Sequence, residues 1–345
     1  MCIPLLDRLL TPPPRQVLGC FPSPVEDHPA LARSFGLERL LVKRDDLNAT
    51  PFGGNKVRAL EWLVPRLGPA VVTMGGYGST WCAALAVVAA QSGRRAHAAL
   101  FPQPWTPTVA GALATTLSHG EVGLVRSRWG LPLAVGRLWR GARRHGAVSW
   151  VPAGGAAPLG VLGSVNAALE FITQLDREGV PRPEAIVLPL GSGGTAAGLL
   201  VGMWLTGCDM EICAVRVTDP WFATRSRVLA LARHTLALLA RCGLRVTPGR
   251  ACLRLVPDQL GAGYGSPTPA AQAAQATMAG VGIAVDLTYG AKACAAITAL
   301  ATSFRHLCFW HTFDTRLLTQ SACAHPLIRE AREQAETLWP HRKSI

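Results

Sequence analysis

In the stretch "TPFGGNKVRALEWL", Thr50 to Leu63, two glycines and an asparagine stand directly before Lys56. Lysine and arginine together number 34, yet only four are lysines, at positions 43, 56, 292 and 343. Arginine keeps its charge under all ordinary conditions, whereas lysine can lose its proton and attack as an amine. In so arginine-rich a chain, a lysine behind a flexible glycine pair marks a place for an amine rather than a fixed cation. A second candidate is "PLGSGGTAAG", Pro189 to Gly198. A strand ends there, small residues turn the chain and a helix begins. Backbone N–H groups and the helix dipole make such a start an anion site, and glycine lets an anion come close. The lysine of a triphosphate-binding loop is missing. The pattern G-x-G-x-x-A, with Asp219 about 20 residues on, fits a dinucleotide. A single phosphate on a small cofactor fits equally well, and the loop alone does not decide. "MGGYGSTW", Met74 to Trp81, has the same strand-turn-helix order and suits a second anion such as a carboxylate.

The elements that must carry these loops follow from periodicity. "RLLVKRDD", "AVVTMGG", "RAHAALF", "AIVLPL", "EICAVRV" and "HLCFWHT" read as short strands. Between them, "NKVRALEWLVPRL", "STWCAALAVVAAQSG", "VLGSVNAALEFITQL", "GTAAGLLVGMWLTG", "SPTPAAQAAQATMAGVG" and "AKACAAITALATSF" read as helices. Ser79 or Thr80 caps the second of these. Alternating strands and helices predict an α/β fold with two open-sheet domains of mainly parallel strands. "WVPAGGAAPLG" is the expected crossing between domains.

Composition narrows the function classes. The chain has 345 residues, 49% hydrophobic and 16% charged, which predicts a well-buried core rather than disorder. Its net charge of +13 raises a nucleic-acid partner. The arginines are scattered, however, and the denser set Arg126, Arg128, Arg137, Arg140, Arg143 and Arg144 reads as a solvated helix face without aromatic interleaving. No nucleic-acid partner is expected. The ten cysteines form no C-x-x-C pair and no histidine cluster has zinc spacing, so they read as buried small hydrophobes in a reducing compartment, with no metal. Ala185 to Cys208 is uncharged and long enough to imitate a membrane helix, but "GSGGT" breaks it. No membrane partner is expected, and the cytoplasm is the expected location.

Six motifs in order, "VKRDDLNATPFGGNKVRALEWL", "TMGGYGST", "VPAGGAAPLGVLGSV", "VLPLGSGGTAAGL", "GAGYGSPTP" and "VDLTYGAKA", resemble the 1-aminocyclopropane-1-carboxylate deaminase and D-cysteine desulfhydrase family. That family comprises pyridoxal-phosphate enzymes with the tryptophan synthase β-subunit-like fold, fold type II. The resemblance runs from about Leu5 to about Thr312, and the order of the motifs makes it specific. It implies that Lys56 forms the Schiff base with pyridoxal 5'-phosphate, with Asn55 beside it. It implies that Gly191, Ser192, Gly193, Gly194 and Thr195 cradle the cofactor phosphate. Ser79 matches a serine that holds the substrate carboxylate or moves a proton, Thr80 stands where an asparagine bonds the cofactor ring, and Tyr264 and Tyr289 match two active-site tyrosines. The chain departs from the family at Gly78 and Trp81, where polar residues are usual. It departs also at Ala156 and Ala157, at Gly290 where a side chain near the pyridine nitrogen is usual, and at Phe313 and Asp314 where glycines are usual.

The resemblance further implies a large cofactor-binding domain of residues 1–61 and 163–345, a smaller inserted α/β domain of residues 62–162, and a homodimer. The function it implies is that of a lyase or deaminase acting on a small amino acid, like D-cysteine desulfhydrase or 1-aminocyclopropane-1-carboxylate deaminase, and releasing ammonia and a 2-oxo acid. The substituted polar positions leave a second expectation: a divergent relative that binds the cofactor or an amino acid with little turnover.

Overall fold

The computed structural model describes residues 5–49, 53–314 and 325–339. In chain order, its elements begin with β1 (Val25–Asp27), α1 (Pro29–Phe35), β2 (Arg39–Arg44) and α2 (Asn55–Leu63). Then come β3 (Ala70–Gly76), α3 (Thr80–Gln91), β4 (Arg95–Phe101), α4 (Pro107–His119), β5 (Gly120–Leu124), α5 (Leu131–Ala142) and β6 (Val148–Trp150). The remainder comprises α6 (Pro158–Glu178), β7 (Ala185–Leu190), α7 (Gly194–Thr206), β8 (Glu211–Arg216), α8 (Arg225–Arg241), β9 (Leu253–Val256), α9 (Pro269–Ala279), α10 (Gly290–Leu300), β10 (His306–His311) and α11 (Pro326–Leu338).

The chain divides into two compact units. The larger, Met1–Trp62 with Ala156–Asp314, is built on a six-stranded sheet in the order β1-β2-β10-β7-β8-β9. All its neighbours are parallel except the short edge strand β1, which runs antiparallel to β2. Its strands are nearly continuous apolar runs, as a sheet covered on both faces requires. Leu188, Leu190 and Ile212 face one core with Leu162 and Phe171 of α6 and Leu199 and Met203 of α7. Val187, Cys213 and Phe309 face the other, with Leu31 of α1, Met278 of α9 and Ile297 of α10.

The smaller unit, Leu63–Gly155 with Thr315–Ile345, holds the parallel sheet β5-β4-β3-β6. Ala70, Val72 and Ala99 pack on Leu138 and Ala142 of α5. The helix α11 groups with this smaller unit. α11 buries Ala331 and Ala335 and packs on α4, and Gln334 accepts a hydrogen bond from the Tyr77 hydroxyl.

The arginine-dense region forms an exposed face at Arg126, Arg137, Arg140, Arg143 and Arg144. Arg128 instead lies 4.5 Å over the Phe101 ring. Six of the eight described cysteines are buried; Cys20 and Cys252 are exposed, which the expectation of uniformly buried thiols missed. Cys2 and Cys323 lie outside the described residues. Among the described residues no helix is long and apolar enough to cross a membrane, and no three His, Cys, Asp or Glu side chains are placed to hold a metal.

Candidate active site

In the larger unit, parallel strands deliver their loops to one edge of the sheet, where α/β folds bind ligands. The glycine pair before Lys56 is required by close packing. A side chain at Gly53 would stand 1.8 Å from the Asp46 carbonyl, and one at Gly54 would stand 2.2 Å from that of Thr312. Gly54 also has φ +136°, a conformation L side chains rarely adopt. The turn is pinned further: Gly54 N–H donates to Asn48 Oδ1 (2.9 Å) and Asn55 N–H to the Thr312 carbonyl (3.0 Å). The segment His311–Asp314, which lacks the family's glycines, is therefore a buttress for the lysine-bearing turn.

Lys56 is the second residue of α2. Its Nζ donates to Asn55 Oδ1 at 2.6 Å and lies 6.0 Å from the centre of the Tyr289 ring. Burial pushes the amine down to about 8, and the Asp286 carboxylate opposes that shift. The positive end of the α2 dipole adds to the preference for the neutral amine. Asn55 Nδ2 in turn donates to Thr195 Oγ1 (2.7 Å), which ties the lysine to the glycine loop.

That loop, Gly191 to Gly194, leads from β7 into α7. Gly193 has φ +91° and, as the residue capping the thirteen-residue helix α7, makes no side-chain cap hydrogen bond to its first N–H groups. A helix start bared in this way, a cradle of small residues and a desolvated amine suit an aldehyde carrying a phosphate. Tyr264 and Tyr289 lie together, hydroxyl to hydroxyl at 2.7 Å, with their rings edge to face. The loop and Tyr289 touch: a side chain at Gly191 would come within 3.3 Å of the Tyr289 ring. Lys56, Asn55, Gly191, Ser192, Gly193, Gly194, Thr195, Tyr264 and Tyr289 all belong to this unit.

Asp286 is a residue that the motif reading passed over. Its Oδ2 accepts from the N–H groups of Thr288 (2.9 Å) and Tyr289 (2.7 Å), and its Oδ1 from that of Gly290 (3.0 Å). It thereby fixes the Tyr289 turn and the start of α10. A side chain at Gly290 would begin 3.4 Å from Asp286 Oδ1 and 3.2 Å from Val285 Cβ. The carboxylate thus stands beside the position whose side chain is missing. The signal in the sequence was an Asp four residues before a helix start and three before its N-cap residue Tyr289, within reach of local backbone N–H groups.

Beneath Lys56, α2 turns a different face inward. Arg58 is two residues on, roughly 200° around the helix. It donates to Asp45 Oδ1 (2.6 Å) and Oδ2 (2.9 Å) and to Glu170 Oε1 (2.9 Å) and Oε2 (3.0 Å). Lys43 Nζ donates to the same Glu170 (2.6 Å), and Trp310 Nε1 to Asp45 (2.8 Å). Asp45, Arg58 and Lys43 are buried, and two cations meet two carboxylates. Glu170 is pulled down to about 2; burial works against that shift, and Arg58 and Lys43 more than overcome it.

In the smaller unit, Ser79 caps α3, its hydroxyl accepting from Cys82 N–H at 3.2 Å. Ser79 and Thr80 are buried. Trp81, which stands where a polar residue is usual in the family it resembles, is part of the core: its indole donates to Thr73 Oγ1 (3.0 Å) and its ring abuts Gly155.

A family profile described as "Pyridoxal-phosphate dependent enzyme" matches residues 17–307. The chain belongs to this family. It is 34% identical over 303 residues to the nocardicin C-9' epimerase of Nocardia uniformis subsp. tsuyamanensis, which covers 81% of this chain and 87% of that protein. It is 31% identical over 300 residues to the D-cysteine desulfhydrase of Salmonella typhi, covering 84% and 88%. Among solved structures, an ACC deaminase homologue superposes with a TM-score of 0.75 at 26% identity over 89% of this chain and 93% of that one. The cofactor of the family is the phosphorylated aldehyde that the lysine and glycine loop fit.

Proposed function

We propose that this enzyme removes the α-proton of a small amino acid and expels a group from its β-carbon, releasing ammonia and a 2-oxo acid. The observation that carries the reading is Lys56: an amine lowered to about 8, held by Asn55 beside an uncapped helix start. Gly191, Ser192, Gly193, Gly194 and Thr195 hold the cofactor phosphate, Asn55 orients the lysine, and Thr80 is assigned to the cofactor ring. Pyridoxal phosphate, when bound, supplies the electron sink that makes the α-proton acidic. Lys56 Nζ takes that proton, as a general base whose pKa lies near the working pH. Tyr264 and Tyr289, sharing a hydrogen bond, deliver a proton to the departing group. Ser79, at the start of α3, binds the substrate carboxylate. For a cysteine-like substrate the leaving group is sulfide; water then converts the remaining imine to ammonia and the 2-oxo acid. We propose further that the enzyme is a cytoplasmic homodimer, as the implied family kinship suggests.

The similarity to an epimerase favours a second reading, in which the proton lost from the α-carbon returns to the opposite face and no bond at the β-carbon breaks. Cofactor binding with little turnover is less favoured, because Lys56 is set up as a base.

One experiment tests these readings in sequence. The absorbance spectrum of the purified protein with added pyridoxal phosphate is recorded before and after borohydride, followed by peptide mapping. A visible band that borohydride abolishes, with a pyridoxyl adduct on Lys56, supports the assignment; no adduct on Lys56 refutes it. D- and L-cysteine, aminocyclopropane carboxylate and serine are then incubated in D2O. Ammonia with 2-oxo acid marks elimination from cysteine or serine and ring opening from aminocyclopropane carboxylate, whereas deuterium at the α-carbon of cysteine or serine without ammonia marks epimerisation.

A further inference from the structure

A cavity of about 620 Å³ opens in the smaller unit at the end of the sheet opposite Ser79. Ser79 follows the C-terminal end of β3, whereas the cavity is lined from the first residues of β4 and β5. It is strongly basic. Arg95 and His97 come from β4, Arg144 and His145 from the turn after α5, and His325 from the start of α11. Glu121 of β5 is the one carboxylate among the described residues lining it.

The internal arrangement leaves donors uncommitted. His97 is 2% exposed, and neither of its ring nitrogens has a hydrogen-bond partner. Its Nδ1 lies 3.1 Å from Glu121 Oε2, within ion-pair range but out of line for a hydrogen bond. Burial lowers the His97 pKa and Glu121 opposes that shift, so the pair attracts as charges only when the imidazole is protonated. A buried imidazole without a hydrogen-bond partner is costly unless something fills the place of that partner. The Arg144 guanidinium reaches the same Glu121 oxygen only at 3.7 Å, and the His97 and His145 rings stack 6.2 Å apart. A single carboxylate is thus shared between a histidine and an arginine, with further cations alongside.

We propose that this cavity is a binding site for a small phosphate-bearing molecule, separate from the glycine loop at Gly191–Gly194. Arginine and imidazole donors are the groups that recognise phosphate oxygens. The volume is that of a small-molecule site rather than of a bare ion, so a phosphomonoester fits better than free phosphate. Glu121, the carboxylate nearest His97 and Arg144, competes with the phosphate for them.

The test uses the holoenzyme saturated with pyridoxal phosphate, so that the glycine loop is filled. Inorganic phosphate and glucose 6-phosphate are titrated separately by calorimetry up to about 10 mM, a range that reads even weak binding. One saturable site per chain is expected. Arg144→Ala weakens it roughly 10-fold, the loss of one charge-assisted contact. Glu121→Gln tightens inorganic phosphate, because His97 and Arg144 lose their competitor. Arg144 is largely exposed, so its substitution leaves the fold intact, and an unchanged cofactor absorbance confirms that the glycine loop is untouched. Tighter glucose 6-phosphate establishes the ester as ligand; equal affinities establish the free anion. The absence of binding, or binding unchanged by both substitutions, overturns the proposal.

Discussion

Replacing Lys56 by methionine should make the cofactor-free protein more stable at neutral pH, although it removes the residue on which the chemistry depends. The sign follows from linkage. In the unfolded chain the amine titrates near its ordinary value of 10.5, and in the folded protein near 8. Below pH 8 both states carry the proton, and the folded state bears the whole cost of holding a charge it disfavours. Between pH 8 and 10.5 the unfolded state binds more protons than the folded one, so stability rises with pH; above 10.5 the cost is gone. At about 1.4 kcal/mol per pKa unit, the cost at pH 7 is on the order of 3 kcal/mol. Methionine avoids it but loses the hydrogen bond to Asn55, worth about 1 kcal/mol. The net gain is about 2 kcal/mol. For a chain of this size that is roughly 3 °C in melting temperature, taking about 2 cal/mol/K per residue for the unfolding entropy. Calorimetric melts of the stripped protein and the variant at pH 7, 9 and 10.5 read it directly. The variant leads at pH 7 and its lead shrinks toward pH 10.5. A variant less stable than the parent at pH 7, or a difference that ignores pH, would refute the desolvated-amine account.

Further expectations rest on the packing around the site. Arg58→Met strands Asp45 and leaves Glu170 with Lys43 alone, and should cost about 3–5 kcal/mol in urea unfolding. Glu170, held near 2 against an ordinary 4.5, contributes stability that is present above pH 4.5 and lost as pH falls toward 2. Glu170→Gln should already lack that contribution at pH 7 and show a shallower loss on acid titration. Gly155 has φ +65°, and a side chain there would lie 2.6 Å from the Trp81 ring. Gly155→Ala should therefore cost about 2–4 kcal/mol, falling by about half in a Trp81→Phe background, which a double-mutant cycle of melts would read.

The alternation of apolar strands with alanine- and leucine-rich helices was legible because both sheets are parallel and their strands covered. β1 was not: three residues, paired antiparallel at an edge, carry no periodic signal. α8 was passed over although its buried stripe, Val228, Leu231, Ala232, Thr235 and Leu239, has helical spacing with Arg227 and Arg233 on the exposed face. Lys56 stood out through scarcity and its glycines. The same scarcity argument also applies to Lys43 and Lys292, which are buried for structural reasons, Lys292 donating to the Leu260 carbonyl at 2.7 Å. Local motifs therefore located the lysine turn and the glycine loop. What holds them was invisible, because Arg58 and Glu170 are 112 residues apart and each alone resembles a surface charge. Trp81 shows the converse: its neighbours in sequence belong to a loop motif, but Thr73 and Gly155, its neighbours in space, belong to the core.

The buried charges behind α2 bear on how this chain can change. Lys43, Asp45, Arg58 and Glu170 balance one another, so losing any one leaves an uncompensated charge in a dry interior, whereas replacing the set with matched apolar residues need not destabilise. Viable single-step routes through these positions are therefore closed, and they are expected to vary as a block across descendants. A library meant to redirect substrate choice has its freedom on the loops at the sheet edge. The helix that presents Lys56 carries, two residues further on, a position that admits almost no independent spelling.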